Sequence, residues 1–142
     1  MKIIILCTGN SCRSQIAHGY LQSLSSKIEV YSAGTKPAEQ VNPKAVEVMK
    51  EAGYDISNHT ADNVDQYLST EFDYVITVCG NAQDDCPVFT GKVKNKLHIG
   101  FEDPAEATGS EEEVMNFFRK VRDEIFVDFK KFFDEKIRQE LD

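Results

Sequence analysis

Cys7-Thr-Gly-Asn-Ser-Cys-Arg13-Ser14 sets a thiol and a guanidinium at the two ends of a short, glycine-containing segment. Between a strand and a helix, the backbone N–H groups of such a segment converge. The helix N-terminus adds positive potential, so a tetrahedral oxyanion is held without many charged side chains. Thr8, Gly9, Asn10, Ser11, Cys12, Arg13 and Ser14 are therefore the candidate oxyanion-binding residues. Arg13 suits a planar, two-oxygen grip better than a lysine would. The same field is expected to lower the pKa of Cys7, typically into a range of about 3.5 to 7.5, which makes Cys7 the candidate nucleophile. Ser14 is placed to donate a hydrogen bond to its sulfur, and Cys12, inside the loop, is expected to serve packing.

Two further thiols, Cys79 and Cys86, bracket Gly-Asn-Ala-Gln-Asp-Asp, a composition expected of a mobile loop that brings either thiol to a partner. Asp103-Pro104 supplies a carboxylic acid suited to protonating a leaving oxygen; the plainer reading is a turn initiated before proline. Four cysteines also raise zinc. Structural zinc sites usually pair ligands across about two to four residues, and neither the Cys7–Cys12 nor the Cys79–Cys86 spacing makes a convincing knuckle. His18, His59 and His98 have no evident partner in the sequence.

The elements that must hold these groups alternate. Lys2 to Leu6 is a β-branched apolar run ending at a Thr-Gly-Asn turn, as a strand buried on both faces would be. A helix follows from Ser14 through Leu24. Glu29 to Ala33 reads as a second strand closed by Gly34. Asn42-Pro43 caps a helix that stops at Gly53, and Asp62 is the expected cap of a short helix through Val64 and Leu68. Phe72 to Val78 is a third strand and Lys96 to Gly100 a fourth. Ser110 and Glu113 form a capping box before a long helix whose stripe runs from Val114 to Phe133 and contains six of the nine phenylalanines. Strands alternating with helices predict an α/β fold of three layers, a four-stranded parallel sheet with helices on both faces, and residues 1–142 are expected to form a single domain. In such folds ligands bind beyond the carboxyl ends of the strands, where Cys7, Cys79 and Asp103 all fall.

Composition removes other classes. The net charge of −8 and the absence of a basic cluster argue against nucleic acid. Ile3 to Leu6 is too short for a membrane span or a signal peptide, so the chain is expected to be cytoplasmic. In that reducing compartment four cysteines are not a disulfide scaffold. Residues 102–142 carry 13 acidic and seven basic side chains, so the charge lies mostly away from the anion loop. A monomer is expected.

The motifs Cys7-Thr-Gly-Asn-Ser-Cys-Arg-Ser-Gln, Tyr31-Ser-Ala-Gly, Asn42-Pro-Lys-Ala, Asp55-Ile-Ser-Asn-His-Thr, Cys79-Gly-Asn-Ala, Cys86-Pro and Asp103-Pro-Ala together resemble the thioredoxin-coupled arsenate reductases. That family shares its fold and Cys-x5-Arg phosphate loop with low-molecular-weight protein tyrosine phosphatases. The resemblance implies reduction of arsenate to arsenite for arsenic detoxification. Cys7 attacks arsenate, Asp103 acts as general acid, Cys79 forms a disulfide with Cys7, Cys86 resolves it, and thioredoxin reduces the resulting Cys79–Cys86 disulfide. No tightly bound cofactor is implied. The family's potassium site maps to Asn10, Ser32, Thr60 and Asp62, but the helix position that often carries Glu is His18 here, and a neutral imidazole is a poor ligand for a hard cation. No Tyr pair flanks Asp103, which fits a small inorganic anion better than an aromatic phosphoester. The alternatives are a phosphotyrosine phosphatase and, outside enzymes, a binding module that uses Cys79 and Cys86 as a redox switch.

Overall fold

In β1, Lys2–Cys7, the side chains of Ile3, Ile4, Ile5 and Leu6 are wholly buried, because the strand is central in its sheet and covered on both faces. A computed structural model describes residues 1–141. It contains four strands, β1, β2 (Glu29–Gly34), β3 (Phe72–Thr77) and β4 (Val93–His98), all parallel and in the order β2-β1-β3-β4. Helices α1 (Arg13–Ser23), α2 (Pro43–Glu51), α3 (Gly80–Asp84), α4 (Glu111–Phe132) and α5 (Arg138–Leu141) complete the three-layer α/β arrangement. The chain leaves β1 toward β2 on one side and continues from β3 to β4 on the other, so the direction of strand addition reverses around β1 and β3. Loops diverge at such a point and open a crevice. Leu6 pairs with Thr77, and Val78 N donates to Leu6 O at 2.9 Å, so the segments carrying Cys7 and Cys79 leave the sheet side by side.

α4 encloses the core. Its Phe118, Val121, Ile125 and Phe129 are buried, Tyr20 of α1 stacks on Phe126 at 4.3 Å, and Tyr74 of β3 meets Phe132 edge-on at 5.1 Å. Both halves of the capping box form: Glu113 N donates to Ser110 Oγ at 3.1 Å, and Ser110 N donates to Glu113 Oε1 at 3.3 Å. Among the described residues no helix is long and apolar enough to cross a membrane.

Four expectations need correction. β4 begins at Val93 and ends at His98, three residues before the expected start and two before the expected end; Lys94, Asn95 and Lys96 belong to it and are exposed because it is the edge strand, so hydrophobicity does not mark its span. The cap of the short helix Val64–Tyr67 is Asn63, whose side chain accepts from Asp65 N at 2.8 Å, since Asp62 Oδ1 is occupied by Thr60 Oγ1 at 2.7 Å. The segment after Cys79 is not open loop but the helical turn α3, with Cys79 as its cap. Finally, the last helix widens into a π-turn over Phe133–Ile137 before α5.

Candidate active site

The loop from Thr8 to Cys12 turns its carbonyls outward. Cys7 O, Thr8 O, Gly9 O and Ser11 O accept from Thr35 N, Lys36 N, Ala38 N and Asn42 N at 3.3, 2.9, 2.9 and 2.9 Å. Asn10 O accepts from Gln15 Nε2 at 3.0 Å. With the carbonyls engaged on the outer side, the amide N–H groups are left for the concave side. The N-terminus of α1 is also open, because the Cys12 side chain at its cap position accepts from no helix amide. Asn10 makes the turn possible: its φ is 49°, a left-handed conformation that asparagine tolerates. Its side chain is wholly buried, donating to Ser14 Oγ at 2.8 Å and accepting from Asp62 N at 2.9 Å. Gly34 is required alongside, since a Cβ there would lie 2.5 Å from Thr8 O and 3.1 Å from Asn10 N.

Arg13 crosses this concave space. Its Nη1 donates to Phe101 O at 3.1 Å, its Nη2 lies 3.5 Å from Asp103 Oδ2, and its buried Nε has no protein partner among the described residues. An unpaired, buried guanidinium N–H facing a ring of amides is what an oxyanion would satisfy. Asp103 is fixed by Ala105 N, which donates to its Oδ1 at 3.0 Å, leaving Oδ2 toward Arg13 and the loop. Asp103 therefore stands beside Arg13 and also initiates the turn before Pro104.

The structure brings Cys79 to the base of the cradle. Cys7 and Cys79 are both buried, where the paired strands β1 and β3 end side by side. Thr8 Oγ1 lies 3.3 Å from Cys79 Sγ, and Ala82 N donates to the same sulfur at 3.4 Å. The neighbouring Cys7 thiol, supported by Thr8 and the Ala82 amide, lowers Cys79 to about 5. Cys7 is pushed up by the neighbouring Cys79 and by burial, against the lowering effect of Arg13. The two thiols therefore ionise as a pair, Cys79 shifted down and Cys7 shifted up. This differs from the lowered Cys7 expected from the loop alone, because a competing thiol 72 residues away in the chain cannot be read from the Cys-x5-Arg segment. Ser14 Oγ accepts from Asn10 rather than meeting Cys7. Cys12 is buried with its pKa raised to about 11, first by burial, which is the behaviour of a packing residue.

Cys86 stands apart from this pair. It is half-buried against Val75, Thr77, Gln83, Lys96, Leu97 and His98, and burial raises its pKa. Six residues, five of them in α3, lie between it and Cys79, a rise of about 10 Å along a helix axis at about 1.5 Å per residue. A disulfide needs Cα atoms roughly 4.4 to 6.8 Å apart.

The residues mapped to a potassium site do meet, but they are engaged with one another. Asn10 O and Thr60 O both accept from Gln15 Nε2, at 3.0 and 2.9 Å, Asn10 Oδ1 accepts from Asp62 N, and His18 Nδ1 lies 2.8 Å from Ser32 Oγ. A donor amide and an imidazole nitrogen stand where a hard cation needs free oxygens, so this set does not fit potassium. The histidines are not solitary either: His18 and His59 lie ring to ring at 4.5 Å, and His98 Nδ1 meets Thr77 Oγ1 at 2.7 Å. Reasoning from the sequence also missed Gln15 and Phe117. Gln15 lies off the apolar stripe of α1, and only its place at the end of the Cys-Arg-Ser-Gln motif singled it out. Phe117 lines the cleft beside Asp103 together with Glu102, Glu106 and Glu113, and its spacing marked it merely as core.

Comparison with known proteins gives three results. The family model described as low molecular weight phosphotyrosine protein phosphatase matches residues 2–142. A Bacillus subtilis (strain 168) protein named arsenate reductase is 51% identical over 131 residues, covering 92% of this chain and 93% of its own length. Two solved structures, of an arsenate reductase in the phosphate binding state and of one in the oxidized state, superpose with TM-scores of 0.79 and 0.78 at 30% and 28% identity, each covering 94% of this chain and 97% of the other.

Proposed function

The chain belongs to the low-molecular-weight phosphotyrosine protein phosphatase family, and from that premise we propose that it is an arsenate reductase working by a relay of three thiols. The observation that carries this reading is the second buried thiol, Cys79, that the pairing of β1 with β3 and the Thr8 contact set beside Cys7 at the base of the anion loop, since hydrolysis of a phosphoester gives a second thiol there nothing to do.

Arsenate binds to the loop amides and the Arg13 fork. The Cys7 proton passes to an oxygen of the entering arsenate, so that Cys79 stays a thiolate, and the Cys7 thiolate attacks arsenic. One arsenate oxygen leaves as water, taking a proton from Asp103, and an S–As bond forms. Cys79 thiolate then attacks Cys7 sulfur. The S–As bond breaks with its electron pair passing to arsenic, which falls from As(V) to As(III) and leaves as arsenite, and a Cys7–Cys79 disulfide remains. Cys86 attacks Cys79 and frees Cys7. Because Cys86 starts too far away, α3 has to unwind; a five-residue helix is marginal by itself, and this one relies on Cys79 sulfur as its cap. The Cys79–Cys86 disulfide is then reduced by thioredoxin, for which Val88, 83% exposed beside Cys86, offers an apolar contact. The reading places the protein in the reducing cytoplasm as a monomer, without a tightly bound cofactor.

The test is arsenate-dependent NADPH oxidation with thioredoxin and its reductase. Cys7→Ser, Cys79→Ser and Cys86→Ser each stop turnover, while Cys86→Ser still releases about one arsenite per enzyme before halting as the Cys7–Cys79 disulfide. Full arsenate turnover by Cys79→Ser would refute the relay. Phe117 favours a second, slower activity, hydrolysis of aryl phosphates, because an aromatic wall beside Asp103 gives a phenyl leaving group a surface to pack on.

A further inference from the structure

Behind the oxyanion loop, polar side chains form one connected path from the buried Asn10, Gln15 and Ser32 through the half-buried His18, His59 and Asp62 to the exposed Thr60. Gln15 is wholly buried and its Nε2 donates to both Asn10 O and Thr60 O. Its Oε1 therefore accepts, so the hydrogen on the 2.9 Å contact to His59 belongs to His59 Nδ1, which fixes that ring's tautomer. His59 packs on His18 at 4.5 Å, and His18 Nδ1 contacts Ser32 Oγ at 2.8 Å. Thr60 and Asp62 close the ring back onto Asn10 through the 2.7 Å Thr60–Asp62 bond and the 2.9 Å Asp62–Asn10 bond.

A cation placed behind this loop would draw the Asn10 and Thr60 carbonyl oxygens together and so hold Asn10 in its left-handed conformation. Here the two N–H groups of one amide accomplish the same convergence, without a charge. We propose that Gln15, oriented by His59 and His18, is a positioning residue that replaces potassium in this chain. The loop is held by covalently attached donors and binds oxyanions equally well with or without potassium. The inference concerns the loop's shape and applies to any tetrahedral oxyanion, so it goes beyond the arsenate reading and stands apart from it.

Inorganic phosphate is the probe. Its Kd and the protein's Tm are measured in about 100 mM KCl and in choline chloride of equal ionic strength. For the wild type, Kd in the two salts agrees within about twofold and Tm within about 1 °C; specific binding of a cation would add several degrees at saturating salt. Gln15→Glu exchanges the donor for a carboxylate and leaves Asn10 O and Thr60 O free, an oxygen set a hard cation accepts. Its phosphate Kd in choline chloride rises at least about tenfold, as loss of paired buried hydrogen bonds predicts, and falls back in KCl. A role confined to folding would move Tm without this salt-specific recovery of affinity. Potassium-dependent tightening or stabilisation of the wild type overturns the proposal without needing any variant. A folded Gln15→Glu protein that binds phosphate identically in both salts overturns it as well.

Discussion

Gly34→Ala tests how narrowly the oxyanion loop is constrained. The added methyl carbon would lie 2.5 Å from Thr8 O, 3.1 Å from Asn10 N and 3.2 Å from Asn10 Cβ, whereas ordinary contact begins near 3.4 Å. All three neighbours belong to the loop, and Thr8 O is tied to Lys36 N, so relief requires a backbone shift of about 0.9 Å by Thr8 and Asn10 away from the end of β2. Overpacking of this kind costs about 1 to 3 kcal/mol, which for a chain of this size lowers Tm by roughly 3 to 10 °C. The larger effect is on chemistry: a displacement near 1 Å of groups that position a reactant costs about 100-fold in rate. Gly53→Ala is the control. Gly53 is constrained differently: its φ of 93° is left-handed but no atom lies within 4 Å of its would-be Cβ, so it loses comparable stability, about 1 to 3 kcal/mol, far from the loop. Thermal unfolding and arsenate kcat/KM are measured for both. Gly34→Ala loses about two orders of magnitude in kcat/KM and Gly53→Ala almost none at temperatures where both remain folded. If Gly34→Ala kept wild-type kcat/KM, the loop would not depend on this close approach and the account of its geometry would be wrong.

The Cys7–Cys79 pair loses its first proton as pH rises through about 5, so thiolate absorbance near 240 nm is already present at pH 7 and falls away below that midpoint; Cys79→Ser abolishes this low-pH step, and its persistence would show that the charge does not reside on the pair. Asp103→Asn removes the acid and also the negative partner 3.5 Å from Arg13, so kcat falls by about 10²- to 10⁴-fold while phosphate affinity is kept or improved, a split that isothermal titration and steady-state kinetics separate. Arg13→Lys keeps the charge but loses the fork, and phosphate binding weakens by about 10- to 100-fold; undiminished affinity would mean that the amides alone hold the anion.

The sequence determined what is local. The type and order of the elements follow from apolar periodicity, from Asn42-Pro43 and from the Ser110/Glu113 box, each of which acts within a few residues. The anion loop was legible for the same reason, since Cys7, Arg13 and the intervening amides lie on one continuous turn between β1 and α1. Register at an exposed edge was not legible: Lys94 to Lys96 carry no apolar pattern to mark them as β4. Nor was the π-turn after Phe132, which leaves the apolar stripe unbroken in the sequence.

What only the tertiary structure decided is what happens between distant segments. The parallel pairing of β1 with β3 sets Cys79 beside Cys7, and the second thiol together with burial pushes Cys7 up where the loop alone would lower it. The same packing brings His59 against Gln15 and His18, which helical spacing already sets on one face of α1, behind Asn10, while α3 holds Cys86 away from its partner. Residue types and local spacing specify which chemical groups are present. Proton sharing and oriented hydrogen bonds require contact within about 3 to 4 Å, and only the folded sheet supplies that contact between residues tens of positions apart.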